Sequence, residues 1–186
     1  MQEKLPGLKV FDTSVGLRQT QAGLELSTFD PHTWTAPESM LKVAQEVYCA
    51  MCALDSANSD IYHNNLLQLR AEIDSLDKAV GEKLERVSHR TFVVGHPVLT
   101  YFAHQYGFKQ LALENHGKGP SMGSMEQLIR CCKADSVEVI LVQSEFNTEA
   151  ARTLAREIGA QIKTFRPMSY EWKKEMLNIA DALANN

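Results

Sequence analysis

The feature that most constrains this chain is a proline-free run from about Ser59 to Val87. Leu66, Leu69, Ile73, Leu76, Val80, Leu84 and Val87 recur there at spacings of three and four, which puts them on one face of an α-helix. Gly81 is the one weak point of the run. A helix of about 28 residues is about 42 Å long. That is long for a helix packed inside a small domain, and it reads as a spine joining an N-terminal portion to a C-terminal one. Pairing into a coiled coil is the alternative, but the heptads carry no e/g charge scheme to specify a partner.

The pattern differs on either side of the spine. Leu8 to Thr13 (LKVFDT) reads as a short strand, followed by a polar loop to about Asp30. Thr35-Ala36-Pro37-Glu38 has the form of a capping box with proline in the first turn. Met40, Val43, Ala44, Val47, Tyr48 and Met51 then mark an amphipathic helix, which DSANSD (55–60) breaks. Beyond the spine, TFVVGH (91–96), QLALE (110–114), VEVILVQ (137–143) and QIKTF (161–165) are strand-like. They alternate with helical stretches near 97–107, 122–133, 147–158 and 169–184. Asn147 or Thr148 can cap the third of these stretches, and Gly159 can stop it. Alternation of this kind predicts an α/β fold with a four-stranded parallel sheet and right-handed crossovers. The domain reading is 1–58 as an N-terminal portion, 59–88 as the spine and 89–186 as a C-terminal α/β lobe.

At 186 residues the chain suits one large domain or two small ones, and 44% hydrophobic residues suffice for a core. A net charge of −4 without a basic cluster argues against nucleic acid as a partner. No stretch approaches the roughly 20 apolar residues of a membrane span, and MQEKLPGLKV shows no hydrophobic signal core. Cys49 and Cys52 form C-x-x-C at helical spacing inside an apolar pattern, so they read as small buried hydrophobes rather than a redox motif. Cys131 and Cys132 are adjacent and point to different sides of a helix.

The histidines carry the chemistry. His32 sits on the rigid, aromatic-buttressed turn DPHTW (30–34), just before a helix. His96 ends the first strand after the spine and is followed by Pro97, which can start the next helix; ligands of parallel sheets bind at such carboxyl ends. Either could be a structural residue. Two in equivalent positions, on segments joined by a rigid helix, point to one shared site, and neutral imidazole suits zinc or, with carboxylates, manganese. His116 in ENHGKGPS (114–121), Glu114 and Glu145 also follow strands and could complete a coordination sphere. His63 and His89 fall at the spine's ends and read as solvated, and His104 lies eight residues past His96, too far to share a metal. No G-x-S-x-G, H-E-x-x-H or Walker loop is present, so enzymatic readings lack a motif.

The order LKVFDTS, DPHTWTAPESM, YHNNLLQLRAEIDSLD, FVVGHPVLTYFAHQYGF, GKGPS, VILVQSEFN, FRPMSYEW, from about Leu8 to Leu183, resembles the zinc/manganese family of extracytoplasmic solute-binding proteins that feed metal-importing ABC transporters. The resemblance implies two α/β lobes bridged by one rigid helix, with His32 and His96 as metal ligands, one from each lobe, and Asp30 as a supporting residue. It implies a non-enzymatic protein whose cargo is zinc in preference to manganese, whose partner is the membrane permease of an ABC importer, and whose location is periplasmic or cell-surface, with lipoprotein and cell adhesion among the expected attributes. It also implies a further histidine-bearing segment of the first lobe upstream of Met1, so that the N-terminal lobe is expected to be incomplete. Two positions depart from the family pattern: Arg166 stands where an aspartate ligand precedes the proline (here Pro167), and Gly119 replaces the glutamate of the Gly-Lys-Glu-Pro loop. The competing readings are a metal-dependent hydrolase using the same histidines and a metal-independent adhesin or interaction module.

Overall fold

The computed structural model describes residues 7–18, 30–114, 119–144 and 148–185. The chain divides into two compact units, Met1–Asp74 and Ser75–Asn186.

The described part of the first unit is helical. Helix α1 spans Val15–Arg18, α2 spans Pro37–Leu54, and α3, Ser59–Leu84, begins here and continues into the second unit. The expected strand at LKVFDT does not form: Leu8, Val10 and Phe11 are exposed, and no described neighbour offers this segment a ladder of hydrogen bonds. The expected capping box is absent too. Thr35 Oγ1 donates to the His32 carbonyl at 2.9 Å and Ala36 is the N-cap. Ala36 is held extended (φ −149°, ψ 147°), as the residue before a proline must be, and Pro37 opens α2 at its first position.

Cys49 is exposed and Cys52 half-buried, so the reading of both as buried hydrophobes fails for Cys49. The apolar stripe of α2 is not covered along its whole length, and Val47, Met51 and Leu54 are exposed with it.

Helix α3 carries no break at Gly81 and buries Leu66, Ile73, Leu76, Val80 and Leu84, whereas Leu69 is exposed. It ends at Leu84 rather than Val87. The Leu84 carbonyl is taken by the Val87 N–H at 3.2 Å and by Arg90 Nη2 at 3.0 Å, which satisfies the helix end from outside.

The second unit is the expected parallel α/β structure. Strands β1 (Thr91–Val94), β2 (Lys109–Ala112), β3 (Val139–Gln143) and β4 (Gln161–Phe165) form one parallel sheet in the order β2-β1-β3-β4. Helices α4 (Thr100–Gln105), α5 (Met122–Ala134), α6 (Glu149–Ile158) and α7 (Trp172–Ala184) alternate with them. β3 is buried along its whole length, as a central strand covered on both faces should be. Val93, Ile140 and Val142 pack with Leu113, Cys132, Ala151 and Leu154 in a cluster that joins α5 and α6 to the sheet.

Gly159 does stop α6, adopting φ +75°, a conformation that glycine takes without strain. Thr148 is the N-cap of α6 but makes no side-chain cap bond. α4 begins at Thr100 rather than Pro97. The Val98 N–H is spent on the His96 carbonyl at 2.8 Å, and the Leu99 N–H is accepted by Gln110 Oε1 from β2 at 2.8 Å.

The carboxyl ends of all four strands therefore share one edge. The strand order reverses direction at β1, which makes the ground between the ends of β1 and β3 a topological switch point.

Candidate metal centre

The first candidate side chain is built by a local turn. Asp30 Oδ1 accepts from the backbone N–H of His32 at 2.9 Å and from His32 Nδ1 at 2.6 Å. An aspartate that bonds the N–H two residues on closes an Asx turn, and Pro31 stiffens it. Trp34 lies edge-on to the imidazole, with ring centroids 5.6 Å apart and planes at 70°. Asp30 is buried and His32 is about four-fifths so, at 19% side-chain exposure. When Nδ1–H donates to a carboxylate, the ring's lone pair lies on Nε2, the tautomer a metal ion requires.

The second candidate is assembled by the sheet. The β1–β2 pairing continues past the regular strands: Leu113 N–H donates to the Val94 carbonyl at 2.9 Å and Glu114 N–H to the Gly95 carbonyl at 3.1 Å. On the other side Gly95 N–H donates to the Leu141 carbonyl at 3.1 Å. These bonds bring Glu114 beside His96, and His96 Nδ1 and Glu114 Oε1 form a hydrogen bond. Both are half-buried. His96 thus lies two residues past the end of β1, on the expected edge, with its ring bonded to Glu114.

A cleft of about 470 Å³ opens at this edge, lined among others by Gly95, His96, Glu114, Pro120, Gln143 and Glu149. Gln143, the last residue of β3, was not expected there. Its side chain is buried, and its Oε1 has no hydrogen-bond partner among the described residues. A polar residue that closes an otherwise apolar, fully buried strand was the available signal.

Arg166 follows β4 on the same edge, with an exposed side chain. Its backbone N–H donates to buried Glu175 Oε1 at 2.7 Å, and Glu175 Oε2 accepts from Asn178 Nδ2 at 3.3 Å. Glu175, on α7, is thus already engaged at this corner. His63 and His89 are exposed, as expected, and His104 is exposed too. His116 and Glu145 lie outside the described residues. Among the described residues, no three His, Cys, Asp or Glu side chains converge to hold an ion, so each unit supplies one carboxylate-bound imidazole rather than a full coordination sphere.

In the first unit an imidazole is oriented by a carboxylate on an Asp-Pro-His-x-Trp turn, and in the second another is oriented by a carboxylate at the carboxyl edge of a parallel sheet. The chain belongs to the family described as zinc-uptake complex component A, periplasmic, which it matches over residues 2–185. Members of this family are metal-binding proteins of transport systems, not enzymes.

Among solved structures, the chain is similar to a crystal structure of ZnuA, at a TM-score of 0.89 and 28% identity, covering 99% of this chain and 71% of that one. It is also 27% identical to the high-affinity zinc uptake system protein ZnuA of Bacillus subtilis over 162 residues, 84% of this chain and 51% of the relative. The zinc-binding lipoprotein AdcA of Streptococcus pneumoniae is 26% identical over 142 residues, 75% of this chain and 28% of the relative. The chain spans about half or less of the length of these curated relatives. No helix among the described residues is long and apolar enough to cross a membrane.

Proposed function

We propose that this chain captures zinc outside the cytoplasm and hands it to the permease of an ABC-type importer, with His32 and His96 as ligands through Nε2. The observation that carries this reading is the shared construction of the two histidines: each Nδ1 is held by a carboxylate, Asp30 in one unit and Glu114 in the other. Carboxylate–histidine pairs of this kind fix ring orientation and strengthen the donor. Imidazole donors favour zinc, whereas manganese prefers a more oxygen-rich set, so zinc is the cargo and manganese the weaker competitor. Zinc uptake, zinc binding and a periplasmic or lipoprotein setting are also what the names of the family and its relatives state.

The test is zinc affinity, measured by competition against a chromophoric chelator, for the chain and for His32→Ala and His96→Ala. Both variants should bind markedly more weakly, and His104→Ala should match the parent. Binding that survives both single substitutions would sink the reading.

A further inference from the structure

We infer that Gln143 is a positioning residue for the metal, its Oε1 accepting a hydrogen bond from water on the ion held at His96. The inference rests on the zinc-capture reading above. Three observations lead to it. Gln143 is 7% exposed, and its Oε1 is buried with no partner among the described residues. Buried acceptors in folded proteins are almost always satisfied, so one left open marks a place where something else supplies the donor. Second, β1 and β3 run in parallel with Val94 opposite Leu141, and the Gly95 N–H to Leu141 carbonyl bond carries the pairing one step further. Continued in that register, His96 and Gln143 are opposite numbers, on strands that lie about 5 Å apart. Third, both residues line the same cleft at the switch point of the sheet.

The chemistry fits a hydrated cation. An ion with few protein ligands keeps water in its remaining positions. Water on a divalent cation is a strong hydrogen-bond donor with no need of a charged acceptor. A neutral amide oxygen can therefore hold the ion's outer face without adding a second negative charge beside Glu114.

The experiment compares zinc affinity and the thermal midpoint of the metal-free protein for the chain, Gln143→Leu and Gln143→Glu. Gln143→Leu removes the acceptor at nearly constant volume. Zinc affinity should fall by about 10- to 100-fold, as for other residues that support metal ligands, while the metal-free midpoint stays level or rises, because the acceptor lost was unsatisfied. Gln143→Glu keeps an acceptor oxygen in place and should bind zinc at least as tightly as the parent. Unchanged affinity in Gln143→Leu overturns the inference. So does a joint fall of affinity and metal-free midpoint in both variants, which would mark a packing role. If Gln143→Leu does not fold, Gln143→Glu decides: affinity below the parent's overturns the inference, and affinity at or above it upholds it. Parent-level binding in His96→Ala refutes the capture reading itself, a result that Gln143 variants alone cannot mimic.

Discussion

The two histidine–carboxylate pairs do the same chemical job but are built in opposite ways. Asp30 and His32 are two residues apart, and their bond is part of a turn that Pro31 and Trp34 stiffen locally. His96 and Glu114 are 18 residues apart and meet only because two neighbouring parallel strands end in register. A local pair can be set by turn chemistry alone. A long-range pair is only as well placed as the sheet beneath it, so damage to the core should disturb the two sites unequally.

The largest effect is expected from that core. Phe92, in the middle of β1, is fully buried and lies 6.0 Å from the Phe108 ring. Phe92→Ala should cost about 3–5 kcal/mol of stability, through lost burial and the cavity left behind. Val10→Ala, at an exposed position of the first unit, should change stability by no more than about 0.5 kcal/mol. Urea unfolding of both variants checks the contrast; equal losses would mean that the sheet does not dominate stability.

Next come the two proposed ligands. His32→Ala and His96→Ala should each weaken zinc binding by at least about 100-fold, beyond the 10- to 100-fold of a residue that only supports a ligand. Protons compete for the same lone pairs, so affinity should fall on acidification, and titration calorimetry at two pH values reads it directly. Binding that is flat across that change would exclude imidazole ligation at both sites.

The supporting carboxylates should separate the two designs. Glu114→Ala and Asp30→Ala should each weaken zinc binding by about 10- to 100-fold. Asp30→Ala should lower metal-free stability by one bond more than Glu114→Ala does, because buried Asp30 accepts from the His32 backbone N–H as well as from its ring. The difference should be about 1 kcal/mol, the ordinary worth of one hydrogen bond, and a thermal scan of the two metal-free variants measures it. Equal stability losses would show that the turn is not held by Asp30.

The same divide between local and distant governs how much could be read from the residues. The alternation of apolar runs after His89 was enough to foresee the parallel sheet, because strand and helix periods are local properties. The Asp-Pro-His-x-Trp turn likewise declared itself in five consecutive residues. Glu114 was visible as a carboxylate after a strand, but its bond to His96 depends on register between two strands, which no local pattern encodes. Gln143 was visible only as the polar end of an apolar run, because what marks it, an acceptor without a partner among the described residues, is a property of three-dimensional packing. LKVFDT has strand-like composition, yet a strand needs a neighbour, and the described residues of its unit are helical. The cap at Thr35 failed because α2 starts one residue later than the pattern suggested, with Ala36 at the N-cap, while the Thr35 hydroxyl donates to the His32 carbonyl.

The smallest effect concerns acid stability, where each unit holds one partly exposed carboxylate below its ordinary range. Asp55 is held down by hydrogen bonds from Asn58 and Tyr62, at 2.7 and 2.8 Å, and these are local to the start of α3. Asp135 is held down by Lys109 at 2.8 Å and by Thr91, which reach it from β2 and β1. A carboxyl whose folded form favours ionisation stabilises the fold fully above the unfolded value of about 4. That contribution disappears as pH falls through the lower folded value. Asp135→Asn should therefore leave stability at neutral pH slightly reduced and flatten the loss below about pH 4, and Asp55→Asn should do the same. Both groups are open to solvent, so the changes should be small and should shrink further in high salt for Asp135, whose main partner is a cation. Asp55, held by neutral donors, should show little salt dependence. Acid titration of far-ultraviolet circular dichroism at low and high salt reads both. A salt-insensitive Asp135→Asn effect would mean that Thr91, not Lys109, is the partner that matters.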